Sequence, residues 1–334
     1  MRGTDFLGSQ LAHPVSRFLP PMPDTLHITN GDAVQLNQTG LGGTVIFWRD
    51  VLHEGPVPAG LTLDQMTAVR ARFLARYGDQ KEAEILESMR KRDRALQGFR
   101  EHGEVVLWFE HDLYDQLQLL QILDWFSYQE LGSTLLSLIQ SDHYLGPLVP
   151  AQLAHLYPSR RRVTGAELQL AQRAWHAFCS STPAALVELI SEDSSALPFL
   201  RSALVRHLEQ FPSDTNGLSR TEKQILEIVE GGVSNVGAIF RADQSREDRI
   251  FMGDLTFFSY VQGLVEISVP LLEIIRDGNP FAKTVLRITP RGRKVLHNEE
   301  DHIRLNGIDR WLGGVRMQGT KAWRWGSAGL KPPA

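Results

Sequence analysis

Over the first half of the chain, short apolar runs that end in polar residues alternate with stretches whose apolar positions recur at helical spacing. Leu26–Thr29 reads as a strand leading into Asn30-Gly31-Asp32, and Thr44–Trp48 as a second leading into Arg49-Asp50. Glu104–Phe109 is the clearest buried strand and runs into Glu110-His111-Asp112; Thr134–Ile139 is a fourth, ending in Gln140-Ser-Asp-His143. Between them the pattern predicts a short helix from an Asp32 N-cap to about Gln38, and helices over Leu63–Tyr77 and Lys81–Gly98. The last of these is so charged that it is expected at the surface. A further helix carries Leu113, Leu117, Leu120, Leu123 and Phe126 on one face. Strands alternating with helices predict a mostly parallel sheet with right-handed crossovers.

From Pro150 to Phe211 the pattern is helical alone, and Pro212–Gly217 has the turn chemistry of a boundary. Beyond it, Ser219-Arg-Thr-Glu222 is a capping box, a second short helix spans Val236–Arg241, and Asp254 is expected to cap a third. Two β-like segments, Val269–Ile275 and Thr284–Ile288, precede a helix opened by Thr289-Pro290. This order resembles the winged-helix plan. The expected fold class is therefore α/β: a leader over 1–22, an α/β domain over 23–148, a helical segment over 149–212, and a winged-helix-like domain with a Trp-rich tail over 213–334.

Composition narrows the setting. A chain of 334 residues with 42% hydrophobic and 22% charged residues can bury real cores. No apolar run approaches the roughly 18 residues of a membrane span. Met1–Pro21 has no clean apolar signal core, and reads as a disordered leader or as the stretch before a start at Met22. The single cysteine, Cys179, excludes an intramolecular disulfide and a thiolate zinc cage, so the expected compartment is the cytoplasm. The net charge of −4 divides into −6 up to Pro212 and +2 beyond it, so any nucleic-acid contact must come from a local patch.

Ligands of open parallel sheets sit beyond the carboxyl ends of the strands, where all four predicted strands place polar groups. Asn30, Asp32, Arg49 and Asp50 are candidate ligand-binding residues, and His53, Glu54, Glu110 and His111 candidate catalytic ones. Capping alone explains Asp32 and Asp112, and Arg49 and Asp50 could simply pair. Three chemistries remain open. A divalent cation, magnesium or manganese rather than zinc, would take Asp50, Glu110 and Asp112 oxygens. A histidine could act as acid or base beside a carboxylate. The carboxylates could instead bond sugar or nucleoside hydroxyls. Phosphate cradling is disfavoured, because the first loop has one glycine and ends in Asp32.

The C-terminal half is a weak DNA reader. The helix from Leu255 has no Lys or Arg, and its expected outward residues are Thr256, Ser259, Gln262 and Glu266. Arg287, Arg291, Arg293 and Lys294 follow in a stretch free of acidic residues; they would contact phosphates or form a solvated face. Trp311, Trp323 and Trp325 look like tail anchors, and Asn306, Asp309 or Arg310 could complete the site if the tail crosses it.

The runs His27-Ile-Thr-Asn-Gly-Asp32, Trp48-Arg-Asp-Val-Leu-His-Glu-Gly-Pro56 and Leu107-Trp-Phe-Glu-His-Asp-Leu-Tyr-Asp-Gln116 resemble the N-terminal signatures of a bacterial family, domain of unknown function family 1835. Asn306-Gly-Ile-Asp-Arg-Trp-Leu-Gly-Gly314 and Trp323-Arg-Trp325 resemble the tail of the same proteins. The resemblance implies an intracellular bacterial protein of this two-part layout and implies no activity. Two classes of function stay open. One is a binder, or enzyme, for a small polar or nucleotide-type ligand at the strand ends; the other is a ligand-responsive regulator whose winged helix contacts DNA or a protein.

Overall fold

A computed structural model describes residues 24–78 and 80–333; the expected leader and the choice of start at Met1 or Met22 lie outside them. The chain begins with β1 (Thr25–Thr29), β2 (Thr44–Phe47) and a two-residue strand, β3 (Gly55–Pro56). Helices α1 (Leu63–Leu74) and α2 (Glu82–Gln97), strand β4 (Glu104–Phe109), helix α3 (Leu113–Ser127) and strand β5 (Leu135–Gln140) follow. Helix α4 (Pro150–Leu156) leads to the short edge strand β6 (Arg161–Arg162). The sheet runs β2-β1-β4-β5-β6, parallel except for β6. Central β4 is apolar from Val105 to Phe109 because both its faces are covered. Val105, Leu107 and Phe109 meet the main core, and Val106 and Trp108 meet a smaller one with Val34, Leu36, Leu145 and Leu153.

Three sequence expectations change here. Asp32 caps no helix: Val34 and Leu36 are buried and Gln35 is exposed, an alternation that a helical turn cannot present. Only a 3₁₀ turn forms, over Leu36–Gln38, and Asp32 instead pairs with Arg49 at the surface. Helix α2 buries one face, including the Arg92–Asp93 ion pair, whose guanidinium also donates to the Trp48 carbonyl at 2.8 Å.

Helices α5 (Gly165–Cys179), α6 (Ala184–Leu189) and α7 (Leu200–Leu208) form the expected helical middle. The turn after Phe211 forms, with Ser213 Oγ donating to the buried Asn216, but the hydrophobic core continues through it. Beyond it come α8 (Arg220–Glu230), α9 (Val236–Gln244), α10 (Asp254–Val265), the antiparallel hairpin β7 (Leu272–Arg276) and β8 (Val285–Ile288), and α11 (Pro290–Leu296). Asp254 is the first residue of α10 rather than its cap, the third correction; Gly253 holds the cap position. No helix among the described residues is long and apolar enough to cross a membrane.

The tail is α12 (His302–Asn306) and two hairpins, β9 (Ile308–Gly313) with β10 (Val315–Gly319), and β11 (Arg324–Gly326) with β12 (Gly329–Lys331). Strand β9 also pairs with β3 in parallel, which stitches the chain's end to the loop after β2. The hairpin turns over the end of α5, where a Cβ on Gly314 would lie 1.8 Å from the Cys179 carbonyl oxygen. Gly314→Ala is therefore expected to cost roughly 1–3 kcal/mol in urea unfolding, because backbone must move to admit it. An unchanged midpoint would show that the hairpin is not seated there.

Candidate functional site

The loop after β2 is built around one buried arginine. Arg70 of α1 donates to the Asp50 carboxylate at 2.9 Å and to the carbonyls of Val51 and Glu54 at 2.8 and 2.7 Å. Both side chains of the Asp50–Arg70 pair are fully buried. Asp50 therefore anchors a loop, and it neither pairs with Arg49 nor joins a metal set. The turn Val51–Glu54 sends consecutive side chains to different places. His53 packs edge-on against Phe251 and Tyr114, with ring centroids 5.0 and 6.1 Å away, and burial holds its pKa well below the ordinary value. Neither of its nitrogens finds a partner among the described residues. Buried His207 is likewise unpartnered, and burial lowers its pKa to about 3.

Glu54 turns the other way, into a cleft of about 1040 Å³ bounded by the end of α1, by α10 and by β9. Its Oε1 accepts from the Tyr260 hydroxyl at 2.5 Å and from Arg310 at 2.7 Å, and no protein donor reaches Oε2 among the described residues. Burial pushes its pKa up to about 7; Arg310 and Arg70 oppose that, and the Glu222 carboxylate adds to it. Gln210 donates to the Tyr260 oxygen at 2.6 Å and itself accepts from Arg206 and Thr221, so the tyrosine is held from behind. Tyr77, on the same wall, has its phenol pushed up to about 12 by burial and by Glu54.

The sheet edge forms a second polar centre. Glu110, Asp112 and Asp115 are buried, with carboxylate oxygens within 4.8 Å of one another. Asp112 caps α3 by accepting from the Asp115 amide at 3.2 Å. Asp115 accepts from the Glu110 amide and from Asn30 Nδ2, both at 2.7 Å, and Glu110 accepts from the Leu145 amide at 2.7 Å. Burial, followed by mutual repulsion, raises Asp112 to about 7 and Asp115 well above the carboxylate range; burial raises Glu110 as well. These three residues, not the expected Asp50 with Glu110 and Asp112, are the set that could hold a divalent cation.

The linker between α9 and α10 covers this edge: Arg249 donates to the His111 carbonyl at 3.0 Å, and Tyr144 bonds both polar groups of the Ile250 backbone. His111 packs its ring on Tyr144 and Phe199. The four catalytic candidates thus divide, with Glu54 in the cleft, His53 buried among aromatic rings, and Glu110 and His111 at the covered edge. Asp32 and Arg49 pair outside both centres.

The C-terminal expectations also shift. Thr256 is buried, and Ser259 and Gln262 line the cleft, so this face of α10 forms a wall. Each basic candidate meets a carboxylate outside the basic stretch: Arg287 with Glu273, Arg291 and Lys294 with Glu300, and Arg293 with Glu230. Sequence reasoning missed Tyr260, Gln210 and Asp115. Asp115 reads as an ordinary first-turn acid, and the others as core positions. Of the tail residues, Arg310 does reach the site, and Trp311 lines it. The chain matches no protein-family model, and no curated protein matches it.

Proposed function

We propose that this protein binds a small polar ligand in the cleft beside the loop after β2 and exchanges a proton with it through Glu54. One observation carries the reading. A carboxyl that is 5% exposed, with a pKa near 7, stands at the wall of this cleft between a tyrosine hydroxyl and an arginine. Near neutral pH such a group holds its proton about half the time, which suits it to give or take one. Tyr260 and Arg310 fix where Oε1 sits, and Oε2 is left for the ligand.

The test is a thermal-shift screen of polar metabolites on the natural protein and on Glu54→Gln. Hits should raise the natural protein's melting temperature by mass action, with a pH dependence centred near 7 that Glu54→Gln abolishes. Equal shifts at all pH values in both proteins would overturn the role of Glu54. Trp311→Ala is expected to weaken every hit that occupies the cleft.

A divalent cation, magnesium or manganese, is the second reading, and it belongs to the sheet edge. The proximity of the Glu110, Asp112 and Asp115 oxygens supports it. Stabilisation by manganese at pH 8 that Asp112→Asn abolishes is its expected signature, and equal shifts in both proteins would remove it. Regulation through DNA draws on the basic stretch alone, whose four cations are all paired. The motifs quoted above support a likeness to domain of unknown function family 1835.

A further inference from the structure

The cleft reading leaves the ligand's chemistry open, and the cleft's charges bear on it. Four arginines line it, Arg72, Arg76, Arg310 and Arg316, against three carboxylates, Glu54, Glu222 and Asp309. Two of the carboxylates and two of the arginines have other engagements. Glu222 accepts from the Ser219 amide at 2.7 Å in the capping box of α8, and Asp309 pairs with Arg316. Arg72 lies in the last turn of α1, where it also pairs with Glu82 at 3.5 Å, and Arg76 in the turn just after the helix; both line the cleft. Arg310 lies over the Tyr260 ring at 4.5 Å, and one of its terminal nitrogens bonds Glu54. Trp311 follows it on β9, partly exposed, with Arg316 over its ring at 5.5 Å.

We infer that the cleft takes an anion carried on a flat ring, a phosphate or carboxylate that binds Arg310 in place of Glu54 and leaves Glu54 protonated. The inference rests on the cleft reading above. A planar guanidinium prefers a fully charged, bidentate anion to a buried carboxyl that is half neutral at pH 7. Giving up Arg310 costs Glu54 little, because a proton replaces the lost cation: an O–H bond forms on the carboxylate as a buffer acid releases its proton, and no other bond changes. Of the other groups facing Glu54, Glu222 from α8 opposes its ionisation, Tyr260 from α10 donates to either form, and Arg70 of α1, which favours ionisation, stays committed to Asp50 and the loop carbonyls. His53, its neighbour in sequence, is buried and neutral. The volume of about 1040 Å³ lies at the upper end of small-ligand sites, which run to roughly 1,000 Å³, and admits a mononucleotide. Trp311 offers the flat wall against which a ring would stack. An arriving anion therefore converts Glu54 into a loaded acid beside it.

Calorimetric titration with adenosine 5′-monophosphate, adenosine and inorganic phosphate, in two buffers of different ionisation enthalpy, tests this. The monophosphate should bind at least about tenfold more tightly than adenosine. The difference between buffers should show proton uptake at pH 8. Glu54→Gln should bind the monophosphate without that uptake, which also subtracts the phosphate's own titration. Arg310→Gln should lose about tenfold or more for the monophosphate and leave adenosine unchanged, with Arg310→Lys recovering part of the loss. Circular dichroism checks that each variant is folded. Adenosine binding as tightly as the monophosphate, or monophosphate binding with no proton uptake, would overturn the inference. Neutral hits alone in the thermal-shift screen would do the same and leave the cleft reading standing; no binding by any compound would end both.

Discussion

Arg70→Met is expected to lower the unfolding free energy by roughly 3–5 kcal/mol, the cost of breaking a buried ion pair by removing one partner. The guanidinium sits at 0% exposure between Asp50 and the carbonyls of Val51, Glu54 and Pro56. Its removal leaves a carboxylate and several carbonyl oxygens buried without donors. Asp50→Asn should cost less, because Arg70 keeps its carbonyl acceptors, although its charge is then buried without a counter-ion. Urea unfolding of both single variants and the double variant gives the coupling between them. The loop that Arg70 holds carries Glu54 on one side and pairs with β9 through Gly55 and Pro56. Arg70→Met should therefore also weaken any cleft ligand. A loss below about 1 kcal/mol, with ligand binding intact, would show that the loop keeps its shape without this pair.

That organisation was only partly legible in the sequence, for identifiable reasons. The strands were readable because a buried parallel sheet demands continuous apolar runs, and β4, covered on both faces, has the longest. Glu54 stood out because a charged residue in a Gly-Pro loop next to apolar strands has no obvious structural duty. Its partners did not stand out. Tyr260 lies 206 residues away on α10, and Arg310, 256 residues away, is brought in by a two-residue parallel pairing too short to have a periodicity. Asp32 and Asp112 look alike as helix caps; Asp112 caps α3 because a fifteen-residue helix follows, and Asp32 does not because the next apolar positions alternate. The basic stretch from Arg287 to Lys294 looked free because its acidic partners, Glu230, Glu273 and Glu300, lie outside it. Helical periodicity finds the buried stripe of α10, but it cannot tell an outer face in solvent from one that lines a cleft.

The covered carboxyls at the sheet edge lead to the second large effect, a stability that falls as pH rises through neutrality in the presence of a chelator. Asp112, with a folded pKa near 7 and an ordinary value near 4 when unfolded, keeps a proton that the unfolded chain releases. Its contribution is therefore fully present below pH 4 and is lost as pH rises to about 7. At 1.36 kcal/mol per pH unit that amounts to roughly 4 kcal/mol. Asp115, Glu110, Glu54 and Asp243 are raised too and act in the same direction. Buried His53 and His207 oppose them at lower pH: the unfolded chain protonates these rings below about 6.5 and the folded one does not, so they favour folding as pH rises towards that value. Above pH 6.5 the histidines are silent and the carboxyls act alone, so the slope should be clearest between pH 6.5 and 8, at about 1 kcal/mol for each group that titrates near 7. Asp112→Asn keeps a good helix cap and removes the charge. It should match or exceed the natural protein's stability at pH 8 and lose that advantage at pH 5.5. Were the natural protein instead to gain stability between pH 6.5 and 8 in chelator, the three carboxyls would be ionised together at no cost, which their burial within 4.8 Å of one another does not allow.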